Sequence, residues 1–198
     1  MLTYLQLQVQ DFDAEHNFDY RERGLKDGYR GGYPYNVPRG WYRQALNVSD
    51  KYDDDIVWLS HRNTEDVWPI AFHGTHAGMV SDIVKDGLAI DKLAHDQFRT
   101  EAVRKGGSQM DKPGIYLNTH CDGGAHPRST ETFSVHVSRK KIERFRVVFQ
   151  CRVKPGEFTV HQSPNMTGDL WRVVDPAAVR PYGILLRKIQ GKQENAEY

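Results

Sequence analysis

The segment from Trp68 to Gly87 places the strongest constraint on how this chain folds. It begins with the short apolar run Trp68–Phe72 and continues through the tripeptide His73-Gly74-Thr75. Apolar residues then recur at intervals of three and four, which is typical of one face of a helix. Gly87 is a natural helix stop. The segment therefore predicts a strand, a tight turn and a helix.

The remaining pattern predicts mainly short strands. Residues 144–153 alternate between polar and apolar side chains, and residues 158–161 follow a Lys-Pro-Gly turn as a hairpin partner. Residues 2–9 alternate in the same way and predict a half-buried strand. Further strands are expected at 113–117, 170–174 and 181–189, whereas 41–48 and 131–137 are ambiguous.

Length and composition favour one folded unit. The chain has 198 residues, 38% hydrophobic and 27% charged, which is typical of a polar globular domain. We expect a single domain over 1–198 with its core at about 40–189. Residues 1–39 are dense in glycine and proline and predict an irregular but ordered N-terminal extension. Residues 190–198 predict a polar tail.

The same features favour a cytoplasmic, non-membrane protein. No apolar run is long enough to span a bilayer, and the first residues lack the pattern of a signal peptide. The two cysteines, Cys121 and Cys151, are expected to be reduced thiols. The net charge of +1 does not favour nucleic-acid binding through total charge.

Several common site patterns are missing from the sequence. It contains no phosphate-binding loop, no dinucleotide-binding glycine fingerprint and no hydrolase nucleophile elbow. A metal site would have to combine His73 and His76 with His120, Cys121 and His126 from a later loop. Without paired cysteines or a helical His-Glu-x-x-His pattern, we expect no metal.

Two elements remain that carry a specific chemistry together. The first is Trp68–Thr75 with its helix, and the second is Gly114-Ile115-Tyr116, about forty residues later. In order and spacing they resemble the core of the diphtheria-toxin-like branch of ADP-ribosyltransferases, which includes the poly(ADP-ribose) polymerases. The wider segment 40–189 is most similar to Neuralized-like ADP-ribosyltransferase domains.

The resemblance implies an α+β fold in which two small antiparallel sheets form an NAD cleft, with few helices. It also implies a role for each matched residue. His73 would bond the adenosine-side ribose, the Gly74 main chain would hold the carboxamide, and Thr75 would bond a ribose hydroxyl. Gly114 would begin the second strand of the cofactor site, and Tyr116 would stack on the nicotinamide ring.

The third catalytic position departs from the polymerase pattern, which has a glutamate there. The aligned residues are Leu170 and Trp171, neither of which ionises, and Asp169 is one residue away. Gln150 and Glu157 are the other polar candidates. We take Trp171 as the third catalytic residue beside His73 and Tyr116, with the other four as alternatives.

The implied activity is transfer of ADP-ribose from NAD to a macromolecule, with release of nicotinamide. Without the glutamate, transfer of one unit at a time is expected, and no metal is required. The acceptor is expected to be a protein, including the chain itself, although a nucleic acid remains possible. Two alternatives stay open: an inactive NAD- or partner-binding module of the same fold, and an NAD-dependent tRNA 2′-phosphotransferase.

Overall fold

The computed structural model describes residues 3–52, 55–90, 113–127, 129–162 and 167–189. The predicted tail over 190–198 lies outside these ranges. Within them, strands predominate and helices are few and short, which confirms the coarse α+β assignment.

The main sheet contains nine antiparallel strands among the described residues. The bounds are β1 Phe18–Asp19, β4 Tyr42–Ala45, β5 Ile70–Gly74, β6 Ile115–Asn118, β7 Phe133–Ser138, β8 Lys141–Val153, β9 Phe158–Gln162, β10 Asp169–Val173 and β11 Val179–Ile189. Across the sheet their order is β1-β4-β11-β8-β5-β6-β10-β9, and β7 also pairs with β8. A separate hairpin joins β2 (Gly28–Arg30) to β3 (Tyr33–Tyr35).

The predicted strand–turn–helix unit is confirmed. β5 is followed by a 3-10 turn at Ala77–Met79 and by helix α1, Val80–Asp86. The helix ends at Gly87, whose φ of +80° suits glycine because that residue lacks a Cβ. A second short helix, α2, spans Cys121–Gly124 after β6.

Strand β8 organises the larger part of the sheet. It pairs with β11 along one edge, and on the other edge it pairs first with β7 and then with β5. Every residue from Val147 to Val153 is buried, so both faces of this half of the strand are covered, even though polar and apolar side chains alternate along it. The end of β5 and the start of β7 therefore share one edge of the same long strand.

The sheet is narrowest between β5 and β6. These two strands share a single registered pair, Phe72 with Asn118, whereas the neighbouring strand pairs share four or more. We call this place the β5–β6 junction. It joins a larger part, formed by β1, β4, β5, β7, β8 and β11, to a smaller part formed by β6, β9 and β10. The predicted two sheets are thus connected into one.

The N-terminal segment is integrated into the core. Leu5, Leu7, Tyr20 and Tyr35 are buried in the same cluster as the central strands. The strand predicted for residues 2–9 is wrong over the described residues, which form a turn at 3–6 and a 3-10 turn at Val9–Asp11. The alternation reflects burial of the two leucines, without a partner strand.

No helix in the described part of the chain is both long and apolar enough to cross a membrane.

Candidate functional site

His73 brings the two sequence motifs into contact. It lies near the end of β5, is only 5% exposed, and its Nδ1 is 3.0 Å from the main-chain oxygen of Tyr116 on β6. Because a carbonyl oxygen only accepts, Nδ1 is the donor in this bond. The imidazole ring therefore bridges the two strands just beyond the position where their backbone pairing ends.

Gly74 lies against the last residue of α2 and the loop that follows it. A Cβ built on Gly74 would be 2.0 Å from the Gly124 oxygen and 2.7 Å from the Ser129 Cβ. No other residue type fits without displacement of that loop. The structure thus shows a close backbone approach at Gly74, and the observed neighbour is the protein's own loop.

Thr75 is fixed by a residue that the sequence did not single out. Thr75 is 5% exposed, and its carbonyl oxygen accepts a 2.8 Å bond from the Thr130 hydroxyl. The same hydroxyl lies 3.1 Å from the Val147 oxygen on β8. Thr130 therefore connects the end of β5 to β8 where β5 leaves the sheet.

Gly114 makes room for an arginine from β10. A Cβ at Gly114 would lie 2.9 Å from the Arg172 Cγ and 3.0 Å from its Nε. The guanidinium donates from Nε and Nη2 to the Pro113 oxygen, at 3.0 and 2.6 Å. A larger residue before β6 would thus displace the crossing arginine that holds the start of the strand.

The register of the smaller part separates its two faces. Directly paired residues project to the same side of an antiparallel sheet. One face carries two cross-strand rows, Tyr116–Arg172–Thr159 and Asn118–Leu170–His161. The other carries Ile115, Leu117, Trp171 and Val173, each 3% exposed or less. The first face is polar and partly accessible, and the second belongs to the core.

Trp171 therefore does not share a face with Tyr116. Its ring stacks on Phe158 with centroids 4.1 Å apart and meets the edge of Tyr33 at 5.6 Å. These contacts account for its burial as packing. Of the two aligned residues at the third position, Leu170 is the one on the face of Tyr116, and it is buried.

The other two acidic candidates lie elsewhere. Asp169 precedes Leu170, and its carboxylate accepts a hydrogen bond from the Gln162 amide on β9. Glu157 is exposed in the turn between β8 and β9, where its N–H donates to the Lys154 oxygen. Asp169 projects from the face opposite to Tyr116 and Leu170, because it is one residue from Leu170 on the same strand.

Gln150 is the centre of a buried network. The fully buried amide lies 3.2 Å from the Tyr35 hydroxyl, 3.5 Å from the Tyr20 hydroxyl and 3.5 Å from Arg43 Nη1. Burial raises the pKa of Tyr35 well above its usual value and keeps it neutral. Tyr20 and Tyr35 are more than 100 residues from Gln150 in the sequence, so no local pattern predicts that they share this partner on β8.

The histidines and thiols discussed for a metal site are dispersed. His76 Nδ1 lies 3.4 Å from Glu131 on the surface, whereas His120 Nδ1 lies 3.1 Å from the Thr119 hydroxyl. Cys121 is buried, and burial raises the pKa of its thiol, which disfavours the metal-binding thiolate. Across the described ranges, no three His, Cys, Asp or Glu side chains form a metal-binding group.

No model of a known protein family matches the chain, and a search of curated proteins found no significant relative.

Proposed function

We propose that the chain binds NAD at the β5–β6 junction and transfers its ADP-ribose to a macromolecular acceptor, releasing nicotinamide. The acceptor is a protein in the first instance, and one unit is transferred at a time. The observation that carries the proposal is the 3.0 Å contact between His73 Nδ1 and the Tyr116 oxygen. It brings together the two motifs whose order resembles an ADP-ribosyltransferase, at the place where the sheet narrows.

The side chains near this contact suit the proposed roles. Tyr116 is half-buried and lies on the polar, partly accessible face of the smaller part, where the proposal has its ring stack on nicotinamide. His73 and Thr75 are held by main-chain contacts on either side of Gly74. Preorganised groups of this kind bind a ligand without further ordering of the protein.

The reaction breaks the bond between the ribose C1′ and the pyridinium nitrogen. The bonding electrons leave with nicotinamide, which becomes neutral, and positive charge develops on the ribose. An acceptor atom then bonds to C1′ and loses its proton. No metal or further cofactor is needed for this balance. The protein's contribution is to hold the ring and ribose in a reactive orientation.

One observation favours a second candidate, a module that binds NAD without turnover. Across β6, β9 and β10, the face that carries Tyr116 has no carboxylate, and Leu170 occupies the position aligned with the polymerase glutamate. A carboxylate there stabilises the positive ribose in the transition state. Its replacement is compatible with slow single transfer and equally with binding alone.

Substitution of the two central residues tests the proposal. We expect His73→Ala and Tyr116→Ala to reduce NAD affinity and nicotinamide release. For Tyr116, the lost stacking and apolar contact are worth about 2 kcal/mol, or roughly thirtyfold in affinity. The measurements are calorimetric titration with NAD and chromatographic detection of released nicotinamide. Tyr29→Ala, at an exposed tyrosine on the separate hairpin, is the matched control.

The outcomes separate the candidates. Release of nicotinamide together with transfer of the ADP-ribosyl group from labelled NAD to a protein supports the transferase. NAD binding at the same residues without either product supports the module. Unchanged binding and turnover in folded His73→Ala and Tyr116→Ala proteins would contradict both.

A further inference from the structure

The tip of the β7–β8 hairpin projects from the domain. All seven residues from His136 to Ile142 are exposed, and successive residues on a strand point to opposite faces, so both faces of the tip are accessible. On the far side of β8, the described part of β11 reaches only to the pair Ile189–Arg144. Over the described residues, the hairpin beyond this pair is therefore a ribbon of two strands.

This hairpin, residues 133–146, holds a local excess of positive charge, and we call it the basic hairpin. It contains one acidic residue and five basic residues, Arg139, Lys140, Lys141, Arg144 and Arg146, which gives a net charge of +4. The acidic residue, Glu143, has a carboxylate oxygen 2.8 Å from Lys141 Nζ and 2.7 Å from Lys188 Nζ. The whole chain has a net charge of only +1, so the rest of it is slightly negative. A partner attracted by positive charge therefore meets this hairpin first.

The charges of the tip lie further out than its apolar side chains. Arg139 and Lys140 form the turn, and both are exposed. Val137 and Ile142 are 51% and 58% exposed and lie behind the turn, one on each strand. Insertion into a bilayer buries apolar side chains, and here the two charges of the turn would enter first. Rows of phosphates attract the charged turn, so the arrangement favours a nucleic acid over a lipid surface.

The shape of the basic hairpin favours a double-stranded nucleic acid. Paired strands are about 4.8 Å apart, and the major groove of B-form DNA, about 12 Å wide, admits a two-stranded ribbon. Single strands are bound by stacking of bases on aromatic side chains. The two phenylalanines of the hairpin, Phe133 and Phe145, lie at its base, where Phe133 stacks on Tyr4. The accessible tip therefore offers charge and a ribbon shape, without a phenylalanine, tyrosine or tryptophan on which bases could stack.

We propose that the basic hairpin binds double-stranded DNA, with its tip in the major groove and its basic side chains on the flanking phosphates. Because phosphate contacts carry no sequence information, the binding is independent of sequence. The surface is separate from the proposed NAD site. Gly74 pairs with Val148, and the turn precedes Lys141, which is seven residues or roughly 23 Å further along β8.

The test measures the affinity of the full chain for a short labelled duplex by fluorescence anisotropy over a range of salt concentrations, without NAD. Arg139→Ala/Lys140→Ala removes two phosphate contacts, so the slope of log Kd against log salt should decrease by about 1.8. Arg139→Glu/Lys140→Glu should weaken binding at low salt by at least about tenfold. Both changes should be the same for duplexes of different sequence.

A second charge reversal separates a local site from total charge. Arg23→Glu/Lys26→Glu changes an exposed arginine and an exposed lysine of the N-terminal segment, and it alters the net charge by the same amount. We expect this variant to keep its affinity for the duplex within about twofold. Thermal unfolding checks that each variant is folded.

The contrary results are distinct. Equal losses of affinity in the two charge-reversed variants would overturn the assignment to the hairpin. Polyglutamate, single-stranded DNA or vesicles of anionic phospholipid that displace the protein from the duplex as effectively as unlabelled duplex does would overturn the choice of partner. Absence of duplex binding by the wild-type protein at low salt would overturn the whole inference. Because NAD is not present, each result leaves the proposed transferase to its own test.

Discussion

Because Gly74 has no side chain, β5 can pack closely against the end of α2 and the loop that follows it. A methyl group there would lie 2.0 Å from the main-chain oxygen of Gly124, and rotation of a side chain could not relieve that clash. The sequence resemblance explained this glycine by close approach of a ligand. The structure adds a second reason, the close packing of Gly74 against Gly124 and Ser129, which applies whether or not NAD is bound.

We therefore expect Gly74→Ala to destabilise the protein. Overpacking of this kind costs about 1–3 kcal/mol, and relief of the clash requires the loop to move. Urea unfolding measures the loss. Gly78→Ala is the matched control, since a Cβ at that exposed glycine meets no atom within 4 Å. Equal stability of Gly74→Ala and the wild type would contradict the packing described here.

At the third catalytic position, the pairing register of the strands decides which residue shares a face with Tyr116, and the sequence alone does not. Alignment by motif placed either Leu170 or Trp171 there, and a one-residue difference on a strand reverses the face. Pairing of β10 with β6 and β9 assigns Leu170 to the face of Tyr116 and Trp171 to the core. The sequence holds no local signal for this choice, because both residues are apolar and both are buried.

Among the elements, β8 connects the N-terminal segment to the rest of the domain. Its strong alternation made it predictable, and the glycine end of α1 was predictable for the same local reasons. The N-terminal segment was not, because Tyr20 and Tyr35 are held by contacts with a strand more than 100 residues away. Their shared partner is the Gln150 amide, which lies next to Phe72 across the β5–β8 pairing.

Replacing Gln150 with leucine should loosen the N-terminal segment. The Tyr35 and Tyr20 hydroxyls would each lose one buried hydrogen bond while keeping the bond between them, and a lost hydrogen bond costs about 0.5–1.5 kcal/mol. We expect a lower free energy of unfolding and faster proteolysis within the first 40 residues. Gln10→Leu, at an exposed glutamine, should change stability by less than about 0.5 kcal/mol. Unchanged proteolysis of Gln150→Leu would show that the network does not hold this segment.

For the molecule as a whole, acid should weaken the fold through paired carboxylates. Asp27 accepts from Arg39 Nη1 and from the Val37 N–H, and these bonds hold its pKa below the ordinary 3.8. A lowered pKa in the folded state means that the unfolded chain binds more protons. The stabilisation is therefore complete well above pH 3.8 and is lost as the pH falls through the lower folded value.

Thermal unfolding of Asp27→Asn at several pH values checks this. At neutral pH the variant should unfold at a lower temperature than the wild type, and the difference should shrink as the pH approaches 3. Glu22→Gln, at an exposed glutamate of the same segment, should show no such convergence. A difference between wild type and Asp27→Asn that stays constant from pH 7 to pH 3 would contradict the role of the carboxylate.

At the scale of the whole sheet, our proposal puts NAD at the β5–β6 junction, where His73 bridges to the main chain of Tyr116. A crystal structure with a non-hydrolysable NAD analogue tests this most directly. The account predicts that the nicotinamide ring stacks on Tyr116, with its carboxamide on the Gly74 main chain. An analogue bound away from the β5–β6 junction, or no binding at saturating concentration, would contradict it.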